Sequence, residues 1–198
     1  MGVLLVGGAA STTYGLLAEK QREEAQASST TGGSGSAPAA DIGGPRLEGR
    51  GYVVQLPAGW NDATASFKRE NPSYVSIDRV GAWGATAADA RASLLVETQS
   101  AQGVTDLDVL ADRWRSVLLG GDRTARITGE PTADIDGQPA LSVRVTRTVA
   151  GGVRLVQQSH LVVADDVAYS ITATVQEGDA DALTAFGRIL TTWRWSAS

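Results

Sequence analysis

Residues 125–176, ARITGEPTADIDGQPALSVRVTRTVAGGVRLVQQSHLVVADDVAYSITATVQ, decide the fold. Three turn signals cut this stretch into four runs: Asp136-Gly137, Ala150-Gly151-Gly152 and Asp165-Asp166. Asp-Gly between two alternating runs is a strong hairpin signal, because both residues tolerate the positive φ of a tight primed turn. In the last run Tyr169, Ile171, Ala173 and Val175 alternate with Ser170, Thr172, Thr174 and Gln176. A period of two places one set on an apolar face and the other on a face that is wet or covered by polar side chains, as in an antiparallel meander.

Upstream, Tyr52 to Leu56 reads as a strand stopped by Pro57, with Pro57-Ala58-Gly59-Trp60 turning an aromatic back to the core. Thr64 to Glu70 and Tyr74 to Val80 read as a hairpin around Asn71-Pro72-Ser73, and Ser93 to Thr98 as a more apolar strand near a sheet centre. The period then becomes helical. Leu107, Leu110, Trp114 and Val117 share one face behind a Thr105 cap, and Gly120-Gly121 stops the helix. A second stripe, Leu183, Phe186, Leu190 and Trp193, follows a cap at Asp179. The expected class is α+β, a single antiparallel β-sheet flanked by α-helices.

The globular domain is expected over residues 47–198, a length that typically buries roughly 70% of its unfolded surface. Residues 1–17 are apolar and carry no formally charged side chain; residues 18–46 combine a charged collar with a Gly/Ser/Ala/Pro linker. That order suits a membrane anchor with a tethered domain, the alternatives being a cleaved signal or a cytoplasmic tail. The net charge of −5 and the lack of a basic stripe argue against nucleic acid as a partner. The absence of cysteine excludes disulfides, thiolate metal sites and Cys nucleophiles.

Chemistry-bearing residues are sparse. His160 is the only histidine, and its neighbour Ser159 points the other way on a strand, so the two cannot work as base and nucleophile. Asp134 and Asp136 are too few for calcium and read as hairpin residues, as do Asp165 and Asp166. Asp179 and Asp181 suit a helix N-terminus. No motif calls for a metal or a cofactor, and none is expected. Trp114 and Trp193 belong to helical core stripes, Trp60 plugs the sheet end, and Trp195 is a tail anchor at most. Trp83, in the small-residue segment GAWGATAADA, is the one binding candidate, because an exposed aromatic often marks a binding site.

YVVQLPAGW, the helix ending in VLLGG, IDGQPALSVRV and FGRILTTWRW together resemble the Mog1/PsbP-like superfamily, over about residues 48–196. The closest flavour is that of actinobacterial envelope proteins of the LpqN type. The resemblance implies a central antiparallel sheet covered by helices and a role in binding or assembly. The lipid-attachment cysteine usual in the mycobacterial relatives is absent, so anchoring would use residues 1–17. Two functions are carried forward. One is a non-catalytic, membrane-tethered or exported module of the bacterial cell envelope that binds a protein or lipid-like ligand in a cleft between sheet and helix. The other is an envelope lipid-processing hydrolase.

Overall fold

The structure, a computed structural model, describes residues 41–87 and 89–196. Most of the segment read as anchor, collar and linker lies outside the described residues. In chain order the elements are β1 (Gly43–Gly49), β2 (Tyr52–Pro57), β3 (Trp60–Asp62), α1 (Thr64–Glu70), β4 (Ile77–Trp83), β5 (Ala92–Ser100) and α2 (Leu107–Leu119). Then come β6 (Arg126–Ile135), β7 (Gln138–Thr148), β8 (Arg154–Ala164), β9 (Val167–Gln176), α3 (Ala180–Thr191) and β10 (Arg194–Trp195).

The class is α+β, but there are two antiparallel sheets where the sequence suggested one. A 7-stranded sheet runs β3-β4-β5-β9-β8-β7-β6, and a 3-stranded sheet runs β1-β2-β10. The reason lies in β2. A strand has two edges, and both edges of β2 are taken, by β1 on one side and by Arg194–Trp195 on the other. β1 begins at Gly43, inside the stretch whose composition suggested a linker. Its last residue, Gly49, lies directly under the Tyr52 ring, with no room there for a Cβ.

The meander matches its turn signals. Asp136 and Gly137 adopt φ 51° and 81°, and Asp165 and Asp166 adopt 48° and 57°, the left-handed pairs that a two-residue hairpin requires. Thr64–Glu70 is a helix and not the first arm of a hairpin. Asp62 accepts from the Thr64 N–H at 2.9 Å, and Lys68 and Arg69 lie in the last turn, where the helix dipole favours cations. Pro72 then bars Asn71 from helical backbone. In α2 the cap is Asp106, accepting from the Asp108 N–H at 2.9 Å, one residue after the Thr105 expected. Gly120 closes this helix with φ 57°.

Three apolar clusters hold the fold. The largest fills the space between the two sheets and α3: Leu56, Leu94, Val96, Ile171 and Phe186 are buried there, with Trp193 stacked on Tyr52 at 4.3 Å. Trp195 closes it, its indole N–H donating to the Ile135 carbonyl at 2.7 Å. On the opposite face of the large sheet two separate clusters form. One lies under α2 (Trp114, Leu118, Val143, Val145, Leu161), and the other joins β4, Phe67 of α1 and the segment around Ala87 and Ala90.

Candidate functional site

Between those two clusters the floor of the large sheet is polar. The register aligns Ser93, Thr174 and Gln157 in one cross-strand row, Leu95, Thr172 and Ser159 in the next, and Glu97, Ser170 and Leu161 in the third. Alternation puts these residues on the face opposite Leu94, Val96, Ile171 and Ala173, which belong to the main core. At strand spacing the patch measures about 10 Å across three strands and about 14 Å along them. α1 packs mainly on β4, whereas α2 packs on β6, β7 and β8, so the helices form two walls with β5 and β9 at the floor. Leu95, in the middle row, is half-buried, whereas the Ser, Thr, Gln and Glu side chains around it are buried.

The hydrogen bonds of this floor are largely internal. Ser159 and Thr172 hydroxyls lie 2.9 Å apart, the Gln157 amide donates to Thr174 at 3.2 Å, and the Trp114 indole N–H donates to Ser170 at 3.0 Å. Two acceptors are left over in these rows, and a third, Gln99 Oε1, is buried without a partner two residues beyond Glu97 on the same strand face. Gln157 Oε1 is buried without a hydrogen bond. Glu97, 7% exposed, accepts only from the Ser76 hydroxyl, at 3.0 Å on Oε1. Burial pushes its carboxyl up to about 7, against the smaller opposing effect of the Ser76 bond.

Trp83 lies elsewhere. It ends β4 on the main-core face, half-buried, with its ring centroid 6.1 Å from that of its cross-strand partner Trp60. The Arg91 guanidinium covers the ring at 4.4 Å and grips Asp179 with two 2.7 Å hydrogen bonds. Asp179 in turn caps α3 through the Ala182 N–H. Burial works to raise the Asp179 carboxyl, but the Arg91 hydrogen bonds and the cap outweigh it and hold the group low. Trp83 therefore sits in a clasp between α3 and the edge of the large sheet, on the face away from the polar floor.

His160 does have a serine partner, but it is Ser142 across the β7–β8 pair, with Oγ and Nδ1 2.8 Å apart. The ring is 3% exposed and lies 5.6 Å from Phe186, and its Nε2 is buried without a partner. Burial lowers its pKa to about 4, so the imidazole is neutral at physiological pH. Asp134 accepts from the Gly137 N–H and Asp136 from the Trp195 N–H, which makes both hairpin residues. Among the described residues no group of three or more His, Asp or Glu is placed to hold a metal ion, and no helix is long and apolar enough to cross a membrane. The sequence reading missed Glu97. Its signal was an acid in an otherwise apolar strand, SLLVET, opposite the polar face of the last strand.

No family model matches the chain, and no curated protein matches it. Solved structures do. Cyanobacterial PsbP (CyanoP) from Synechocystis sp. PCC 6803 aligns over 81% of this chain and 98% of its own, at 15% identity and a TM-score of 0.53. A protein of Bacteroides thetaiotaomicron aligns over 78% of this chain at 9% identity and a TM-score of 0.54; the chain spans only 49% of that protein's length. LpqN, involved in cell envelope biogenesis of Mycobacterium tuberculosis, aligns over 80% of this chain and 88% of its own, at 11% identity and a TM-score of 0.45. The chain thus has the Mog1/PsbP-like fold that its sequence motifs suggested.

Proposed function

We propose that this protein is a non-catalytic binding module of the bacterial cell envelope, exported or tethered to the membrane through residues 1–17. Its ligand enters the groove between α1 and α2. The observation that carries this reading is the polar floor on the central strands. Burying hydroxyl, amide and carboxyl groups costs free energy unless each finds a partner. On the α3 side of the same strands the central positions are apolar, with Leu94, Val96, Ile171 and Ala173. The floor also narrows the ligand class. An acyl chain would strip water from the Glu97 carboxyl, which has only the Ser76 hydroxyl as a partner, so the bound group is polar: a small molecule, a headgroup or a polar side chain of a partner. The placement in the envelope rests on the amino-acid pattern of residues 1–46.

The test fills the groove. Thr172→Phe places a ring in the middle row, beside Leu95 at the edge of the β4 cluster. The full-length protein and this variant are each incubated with a polar extract of cell envelopes and examined by native mass spectrometry. A retained small mass on the parent and none on a folded Thr172→Phe supports the groove. Equal retention by both puts the site elsewhere.

One observation favours the hydrolase as a second reading, namely the Ser142–His160 pair. A fluorophosphonate would label Ser142 if that pair activates it. Its burial in the main core, with no acid to orient Nε2 among the described residues, weighs against activation.

A further inference from the structure

The free groups on this face, Glu97, Gln157 Oε1 and Gln99 Oε1, are all acceptors, and one of them is a carboxylate with no cation. Glu97 is more than nine-tenths buried, yet none of the ion pairs among the described residues includes it. Its Oε1 accepts from Ser76, and its Oε2 accepts from nothing among the described residues. The treatment of Asp179 is the contrast. That carboxylate, also mostly buried, receives a two-pronged guanidinium and a helix N–H. This fold can pair a buried acid when only stability is at stake. Glu97 is left with one hydroxyl.

Its surroundings specify what would complete it. The Ser170 hydroxyl, cross-strand from Glu97, uses its oxygen to accept from Trp114 and keeps its own proton to donate. Further along the floor lie the hydrogen-bonded Ser159–Thr172 and Gln157–Thr174 pairs, all buried, and the buried, unpartnered Gln157 Oε1. An anionic ligand would meet Glu97 with like charge. A neutral polyol would satisfy the hydroxyl rows but leave the carboxylate uncompensated. A cation with hydroxyl groups satisfies both.

We infer that the groove takes a small hydroxylated amine, its ammonium group held by Glu97 and its hydroxyls by the Ser/Thr/Gln rows. This rests on the groove reading above. The ammonium supplies N–H donors to Oε2 and the positive charge that the carboxylate lacks, making a charge-assisted hydrogen bond away from bulk water. Burial, and secondarily the Glu97 charge, raises the hydroxyl pKa of Tyr74, the residue two before Ser76, so that side chain stays neutral. The same chemistry occurs in amino sugars and in free amino alcohols such as ethanolamine.

The experiment uses isotope-labelled full-length protein and follows backbone amide signals of β5, β8 and β9. Glucosamine and ethanolamine are titrated in parallel with their neutral counterparts, glucose and ethylene glycol. The expected result is saturable shifts at Glu97, Ser170 and Thr172 with an amine, and binding at least tenfold weaker for its neutral counterpart. Glu97→Gln should abolish that difference while the variant keeps its spectrum elsewhere. Response to glucosamine alone assigns an amino sugar, and response to ethanolamine alone assigns a small amino alcohol. Equal shifts from amine and neutral probes would leave the polar groove standing and overturn the amine. Absence of groove shifts with all four probes would overturn the amine as well, leaving the groove to be decided by Thr172→Phe.

Discussion

Replacing Glu97 by glutamine should stabilise the protein, and only at neutral and alkaline pH. The folded state holds this carboxyl at about 7, against an ordinary value of 4.5. Between those values the folded protein keeps a proton that the unfolded chain has released. Stability from this group is therefore complete below about pH 4.5 and is lost as the pH rises through 7. The difference of about 2.5 pH units corresponds to about 3 kcal/mol. His160 works in the opposite direction. Burial lowers it from 6.5 to about 4, so the unfolded chain takes up a proton first and stability is lost as the pH falls from 6.5 to 4, again by about 3 kcal/mol. Over most of the range from pH 4.5 to 6.5 the two slopes offset each other. The parent should look nearly flat there, and each single variant should expose the slope of the group that remains. The assay is urea unfolding followed by tryptophan fluorescence at intervals from pH 4.5 to 8. Glu97→Gln should gain up to about 3 kcal/mol at pH 8, gain little at pH 4.5, and become steadily less stable on acidification. Asp41, Asp122 and Asp179, all held low, stay ionised throughout this window. A variant that is destabilised at pH 8, or whose pH dependence matches the parent, would refute the account of Glu97 as a buried, unpaired acid.

Trp193→Ala should cost roughly 3–5 kcal/mol by emptying the space against Tyr52, with the loss read from the same urea curves; normal stability would contradict its place in the core. Arg91→Ala should uncover Trp83 and loosen the start of α3, a partly exposed clasp whose loss costs no more than about 1–2 kcal/mol. Hydrogen exchange should then speed up in the first turn of α3 while the strands stay protected, and unchanged exchange there would count against the clasp. In cell fractionation the full-length chain should pellet with membranes and be released by detergent. Protease added to wall-stripped cells should cut within residues 28–42, before β1 begins. Recovery of the intact chain in the soluble cytoplasm would remove the anchor and the envelope placement with it.

The parts of this fold that could be read from sequence are those in which local pattern and tertiary role coincide. The meander from β6 to β9 announces itself because each turn has its own chemistry and each strand is long enough for alternation to show. The two long helices show for the same reason: Trp114 and Trp193 fall on apolar stripes, although Trp193 lies just past the end of α3. What could not be read depends on distant partners. β10 is two residues long, has no pattern of its own, and is a strand only because β2 offers it an edge. α1 is a single-faced seven-residue segment whose one large apolar side chain, Phe67, is too little for a period to appear.

The same distinction governs the candidate site. Trp83 drew notice as an aromatic among small residues, but nothing local reveals that Arg91 lies over it, since that arginine is fixed by Asp179 from the far end of the chain. For Glu97 the position is reversed. Strand alternation already implied that Ser170, Thr172 and Thr174 share a face, and that this face was either wet or covered. Which of the two holds depends on how α1 and α2 straddle the sheet, and helix placement over a sheet is not written in the period of either. Once both helices sit at the flanks, the polar face becomes a floor and Glu97 becomes a buried acid without a cation. That lack distinguishes a ligand site from a packed core, because the stabilising solution, an arginine as at Asp179, is used elsewhere in the same molecule.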